Sequence, residues 1–158
     1  MTVNTAKVTG RRQLHFSSVD EIHSEVERLA AGKHRMLGNW SLGQILWHLA
    51  TVMNSSIDGT QVRPNFFMRL IGPLMKRGML SKRMPAGFQL PASFAKIFGP
   101  PETSVEDGLR IFREAAGRQK SETHREPSPF LGKMTDDDYV QLHCRHAELH
   151  LSFVVPAE

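Results

Sequence analysis

Three histidines in this sequence stand where their side chains could share one metal ion: His48, and the pair His146 and His150. Residues four apart on a helix lie one above the other, with Cβ atoms about 5–6 Å apart, so His146 and His150 can grip the same ion. One helix cannot surround a metal, and a third nitrogen has to come from another element. The spacing points to His48, which lies inside an apolar stripe between Ile45 and Val52. Three neutral imidazoles with a position left open suit Zn²⁺ or Ni²⁺ first, with Fe²⁺, Co²⁺ and Mn²⁺ behind them. They do not suit Ca²⁺ or Mg²⁺, which ask for oxygen. Histidines four apart on an apolar face also serve as hydrogen-bonded core or interface groups, and the residues alone leave both readings open.

On a helical wheel centred at Tyr139, the residues Leu142, His143, His146, Leu149, His150 and Phe153 share one face. Gln141, Arg145, Glu148 and Ser152 point away, and Cys144 falls off the ligand face, where it reads as a flank packing residue. His143, one turn before His146, is the catalytic candidate, a proton shuttle or a group behind the ligands; its rival role is a structural hydrogen bond beside Tyr139. Gln44, one turn before His48, could orient that ligand or bind substrate or cofactor. No carboxylate falls near the site: Glu148 reads as a solvated or interhelical residue, and Asp58 is far along its helix from His48. There is also no His-Glu-x-x-His, which argues against a zinc peptidase. That leaves open chemistry in which the metal itself activates the nucleophile, water or a small thiol.

Four helical segments must position these residues, and each opens on a cap. The first runs from about Ser18 to Ala31, with Val19, Ile22, Val26 and Leu29 on one stripe. Ser18 and Glu21 can form a capping box, and Gly32 is suited to a left-handed exit. The second starts at Ser41 with Gln44 three residues on, Trp40 stapling onto Ile45, and ends at Asp58-Gly59. Trp40 and Trp47 read as staple and bundle packing. A third helix begins at Thr103 or Ser104 and carries Val105, Leu109, Phe112 and Ala116 inward; Thr135 caps the fourth, with Asp136, Asp137 and Asp138 at its positive end. Together they predict an all-α four-helix bundle with a long crossover between helices 2 and 3.

That crossover, residues 60–102, contains Pro64, Pro73, Pro85, Pro91, Pro100 and Pro101, so long regular elements are not expected there beyond a short helix from Phe66 to Leu70 or Leu74. It is too apolar for a disordered linker, with Phe66, Phe67, Met68, Leu70, Phe88, Phe94 and Phe98 among its residues. It should pack over the bundle and wall one side of a pocket. The run from Phe66 to Ile71 beside Lys76-Arg77 reads as a pocket lid or dimer contact rather than a membrane-surface element, because Gly72-Pro73 interrupts it.

Size and composition bound the rest. A chain of 158 residues forms one domain of ordinary size, and its one cysteine leaves no internal disulfide. The net charge of +4 is modest, and the densest basic cluster, Lys76-Arg77 with Lys82-Arg83, lacks the interleaved aromatics of a single-strand nucleic-acid binder. Arg11-Arg12 is followed by polar Ser17-Ser18-Val19-Asp20-Glu21 rather than an export signal's apolar run, so a cytoplasmic protein with no membrane span is expected.

The stretch from Leu37 to Ala50, containing Trp40-Ser41-Leu42-Gly43-Gln44 and His48, together with Arg145-His146-Ala147-Glu148-Leu149-His150, resembles the DinB-like superfamily, in a branch known as a domain of unknown function. The resemblance implies a four-helix bundle with a long connection after the second helix and a three-histidine metal site at His48, His146 and His150. It also implies thiol-dependent transferase or hydrolase chemistry on a small-molecule substrate, and homodimers. The alternative is a non-catalytic, metal-stabilised bundle serving as a homodimer or protein-interaction module. Where the branch carries a His-Pro-x-Phe-Gly element before the last helix, this chain reads Ser128-Pro129-Phe130-Leu131-Gly132, and any role of that histidine falls to His143 or His124.

Overall fold

The caps written in the sequence are the caps the chain uses. In the computed structural model, which describes residues 2–63, 66–87 and 92–157 apart from the Met68 side chain, the elements are α1 (Val19–Ala31), β1 (His34–Met36), α2 (Leu42–Asp58), α3 (Phe66–Ser81), α4 (Ala92–Phe98), α5 (Val105–Ser121), α6 (Asp136–Leu151) and β2 (Val154–Pro156). Pro64, Phe88, Pro91 and the Met68 side chain, named above, lie outside the described residues. Ser41 and Gln44 close a reciprocal capping box on α2, and Thr135 and Asp138 close another on α6. Ser104 is the cap of α5. At α1 the Ser18 hydroxyl accepts from the Glu21 N–H, but the Glu21 carboxylate reaches back to Ser17 N rather than to Ser18. Each such cap contributes about 1 kcal/mol.

The bundle is α1, α2, α5 and α6, an all-α core with a long crossover after α2. Its interior joins Ile22, Val26 and Leu29 of α1, Ile45, Leu46, Leu49 and Met53 of α2, Phe112 and Ala116 of α5, and Cys144, Ala147 and Leu151 of α6. α2 and α5 approach closely at their starts, where a Cβ on Gly43 would lie 2.2 Å from the Thr103 carbonyl oxygen and one on Gly108 would lie 2.6 Å from that of Gly43. Only glycine permits this contact.

A two-stranded ribbon accompanies the helices. Instead of a left-handed exit, Gly32 has φ −107° and ψ 167°, so the chain leaves α1 extended and runs straight into β1. β1 pairs antiparallel with β2, Arg35 opposite Val155, and Leu37 N donates to the Phe153 carbonyl. The ribbon ties the end of α6 to the entry of α2, which sets Trp40 beside His150.

The crossover departs most from expectation. α3 runs unbroken for sixteen residues with Pro73 inside it. An interior proline costs about 3 kcal/mol and one backbone hydrogen bond. Docking offsets that cost: Leu80 is buried with Leu131, Met134 and Tyr139, and Gly72 lies so close to the 128–132 turn that a Cβ there would come within 1.8 Å of the Phe130 carbonyl oxygen. The helix therefore faces the bundle with Gly72 and Leu80, and its large apolar residues Phe66, Phe67, Leu70 and Leu74 are exposed rather than packed over the bundle. α4 does pack inward, with Phe94 and Phe98 buried.

Candidate metal centre

His48 sits on the buried stripe of α2, and α6 presents His146 and His150 one turn apart to meet it. One nitrogen from each of the three rings lies within 4.8 Å of the other two. The rings stand edge to face, with centroids 4.6–4.8 Å apart and interplanar angles of 62° to 86°. Their nitrogen edges, rather than their faces, converge.

The tautomer of His48 is set from behind. Its Nδ1 lies 2.6 Å from the carbonyl oxygen of Phe98, the last residue of α4. A carbonyl only accepts, so Nδ1 carries the proton and Nε2 is left with a free lone pair. That Nε2 faces Nε2 of His146 at 3.0 Å. The carbonyl behind an imidazole is the usual orienting partner of a metal-binding histidine. It is Phe98, and not Gln44, that orients His48; the Gln44 carboxamide oxygen accepts from Ser41 N in the cap.

Burial keeps the cluster neutral. It holds His48 down to about 4 against the favourable Phe98 contact, and it lowers His146 and His150 well below the ordinary histidine range, helped by the neighbouring imidazoles and, at His150, by Arg11. Neutral imidazole is the form that ligates a metal, so near pH 7 no proton has to leave first. The donor set, three imidazole nitrogens with no oxygen, fits a divalent transition metal and not Ca²⁺ or Mg²⁺. Four of the other five histidines are engaged elsewhere: His23 beside Glu27, His124 beside Glu126, His15 near Glu148 and His34 on the Gly32 carbonyl.

Trp40 has a second role that its position as a staple does not announce. Its ring stacks on His150 at 5.3 Å and 14°, and leans on His48 at 4.9 Å. The signal is available in the sequence, since Trp40 precedes the helix carrying His48, but the ribbon that brings His150 to it is a tertiary pairing.

His143 is fully buried but stands outside the three-nitrogen group. Its ring stacks on Tyr139 at 5.9 Å, its Nε2 has no hydrogen-bond partner, and burial with nearby Arg125 lowers it to about 3. Glu148 corrects the wheel: it is neither solvated nor at the site, but buried against the segment before α1, where its carboxylate accepts from Phe16 N at 2.7 Å and from Arg145 at 2.7 Å. Cys144 likewise lies in the main core, its thiol raised to about 11 by burial, a state that makes it a poor nucleophile. A cleft of about 750 Å³ opens not at the histidines but at the far end of α2, between Asp58, Arg69, Glu126 and Phe130. Asp58 is ten residues beyond His48, roughly 15 Å along the helix. Ser128 also lines that cleft.

The chain belongs to a protein family whose function is unknown: the family model described as "Protein of unknown function (DUF1569)" matches residues 8–157. No curated protein and no solved structure matches the chain.

Proposed function

We propose that this family member is a DinB-like, metal-dependent enzyme, in which His48, His146 and His150 hold a divalent transition metal and water or a small thiol attacks a small-molecule substrate. One observation carries the reading. Among the described residues three imidazoles converge and no further His, Cys, Asp or Glu joins them. A structural zinc site closes with four protein ligands, whereas a catalytic site keeps three and an open position. The non-catalytic alternative asks for a fourth ligand, and His143, the residue that would supply it, is outside the group.

A divalent metal held by three neutral nitrogens keeps its whole charge and supplies Lewis acidity, lowering the pKa of a water or thiol that reaches it. The chain's own residues do the rest. The Phe98 carbonyl holds the His48 ring in its ligating tautomer. Trp40 covers His150 and limits water on that side. The Glu148 carboxylate is occupied by Phe16 N and Arg145, so it does not serve as the base. His143, one turn before His146, remains the candidate group behind the ligands: burial holds its ring neutral, down to about 3, so its unpartnered Nε2 is suited to a hydrogen bond with substrate or water rather than to storing a proton. With its oxygen committed to the cap, Gln44 keeps its amide NH₂ to donate to a substrate.

The test is metal analysis of untagged protein beside His48→Ala and His146→Ala. Stoichiometric metal in the parent and its loss from both variants is the expected result, and full retention in either removes the shared site. Metal-loaded protein is then assayed for transfer of low-molecular-weight thiols to an electrophile and for ester or amide hydrolysis. Activity should follow metal content across the three proteins.

A further inference from the structure

Between Asp58 and Glu102 the sequence carries seven Lys and Arg and no Asp or Glu. The whole chain is +4, so this stretch at +7 leaves the remainder net negative by three. The same stretch turns an apolar face to solvent. On α3, Phe66 is 82% exposed, Phe67 66%, Leu70 60%, Leu74 79% and Met75 51%. Among the described residues Val3 is the one other large hydrophobic so exposed. Phe66, Phe67, Leu70 and Leu74 follow the three-and-four spacing of a single helical stripe.

The stripe is held outward. Gly72, opposite the stripe, has its backbone directly on the Phe130 carbonyl, and Leu80 near the end of the helix is buried, so α3 cannot roll its Phe and Leu inward without rebuilding both contacts. Lys76 is paired with Asp138, but among the described residues Arg69, Arg77 and Lys82 make no ion pair. Contiguous exposed apolar surface rimmed by polar groups marks an interaction site.

Charge selects the occupant. Two copies of this face related by a two-fold axis would set bases against bases, with no carboxylate in the stretch to offset them. An anionic surface supplies the missing sign. A strip of Phe and Leu flanked by Arg and Lys is what a helix needs to lie in a bilayer interface, apolar side at the acyl boundary and bases at the headgroups. The interruption at Gly72-Pro73 that spoke against such an element does not break the helix. No described helix is long and apolar enough to cross a membrane, so any attachment through α3 is at the surface.

We propose that α3 docks this protein on an anionic lipid surface, with Phe66, Phe67, Leu70 and Leu74 inserted and Arg69, Arg77 and Lys82 among the headgroups. The full chain is sedimented with vesicles of phosphatidylcholine alone and of phosphatidylcholine mixed with phosphatidylglycerol. Binding to the mixed vesicles only, weakening as salt is raised, is expected. The double variant Phe67→Ser/Leu70→Ser should bind at least about tenfold more weakly, since two large apolar side chains no longer leave water. Its circular dichroism should match the parent, because both positions are exposed. Arg69→Gln/Arg77→Gln should bind less and with a shallower salt dependence. Equal partition with neutral and anionic vesicles, or unchanged binding by the double variant, overturns the proposal. So does a dimer in sedimentation analysis that the double variant dissolves without any vesicle binding, which gives the face to a second copy. Retention on immobilised polyglutamate without vesicle binding also overturns it and assigns an acidic protein.

Discussion

The Nδ1–H of His48 donates to the carbonyl oxygen of Phe98 at 2.6 Å, and the ring so held points its Nε2 at Nε2 of His146, 3.0 Å away. The crossover thereby takes part in the site through its backbone. Phe98 is positioned by α4, whose Phe94 is 2% exposed and packs on Phe130 with ring centroids 4.1 Å apart. Phe94→Ala should therefore loosen the carbonyl while leaving all three histidines in place. The expected outcome is a loss of about 10- to 100-fold in metal affinity, the usual effect of removing an outer partner of a ligating histidine. Competition with a chelator of known affinity measures it; unchanged affinity would mean that the Phe98 contact does not position His48.

Trp40 should report the ion. It stacks on His150 and touches His48, whereas the chain's other tryptophan, Trp47, is a separate emitter on α2. Titration with Ni²⁺ or Co²⁺ is expected to quench Trp40 emission in a Trp47→Phe background and to leave a Trp40→Phe protein nearly unaffected. Equal quenching in the two proteins would place the ion elsewhere.

Acid should destabilise the metal-free protein in a defined window. Burial lowers His48 to about 4 and His143 to about 3, while in the unfolded chain both return toward 6.5. As pH falls below 6.5 the unfolded chain takes up protons that the folded chain refuses. The stability these rings contribute is complete above pH 6.5, declines below it, and is gone once pH passes the folded values. His48 alone accounts for about 3 kcal/mol on this basis. Urea unfolding at steps from pH 7 to pH 4 should show the decline, and a flat profile would contradict the burial of these rings.

Glu148 should matter for folding and not for the metal. Its carboxylate is buried, joined to Phe16 N and to Arg145. Glu148→Ala leaves the Arg145 charge without its partner and is expected to cost about 3–5 kcal/mol, the range for a broken buried ion pair. Glu148→Gln, which keeps an acceptor oxygen for the Phe16 N–H, should cost less. Chemical denaturation beside metal analysis separates the two effects: a variant that unfolds easily yet binds metal in full stoichiometry is the expected result.

Much of the bundle and the three-histidine cluster is legible in the residues alone. Caps such as Ser41 with Gln44 and Thr135 with Asp138 act within one turn, and the apolar period that places His48, His146 and His150 inward is equally local, so short stretches of sequence contain that information. The surroundings of the site are not legible in the same way. A backbone carbonyl has no residue-type signature, so nothing in the sequence marks Phe98 as the partner of His48, fifty residues earlier. Glu148 looks solvated on a wheel because its partner Phe16 comes from a segment 132 residues away. Pro73 and Gly72 read as a helix break, until the turn at Phe130 meets the glycine closely enough to stabilise a continuous α3 and to turn its apolar stripe outward. By itself, then, the sequence determined four capped helices and three inward histidines, because those follow from neighbours along the chain. Tertiary structure alone decided what orients the histidines, what covers them and which face of α3 meets solvent, because those depend on contacts between segments that the chain brings together only by folding.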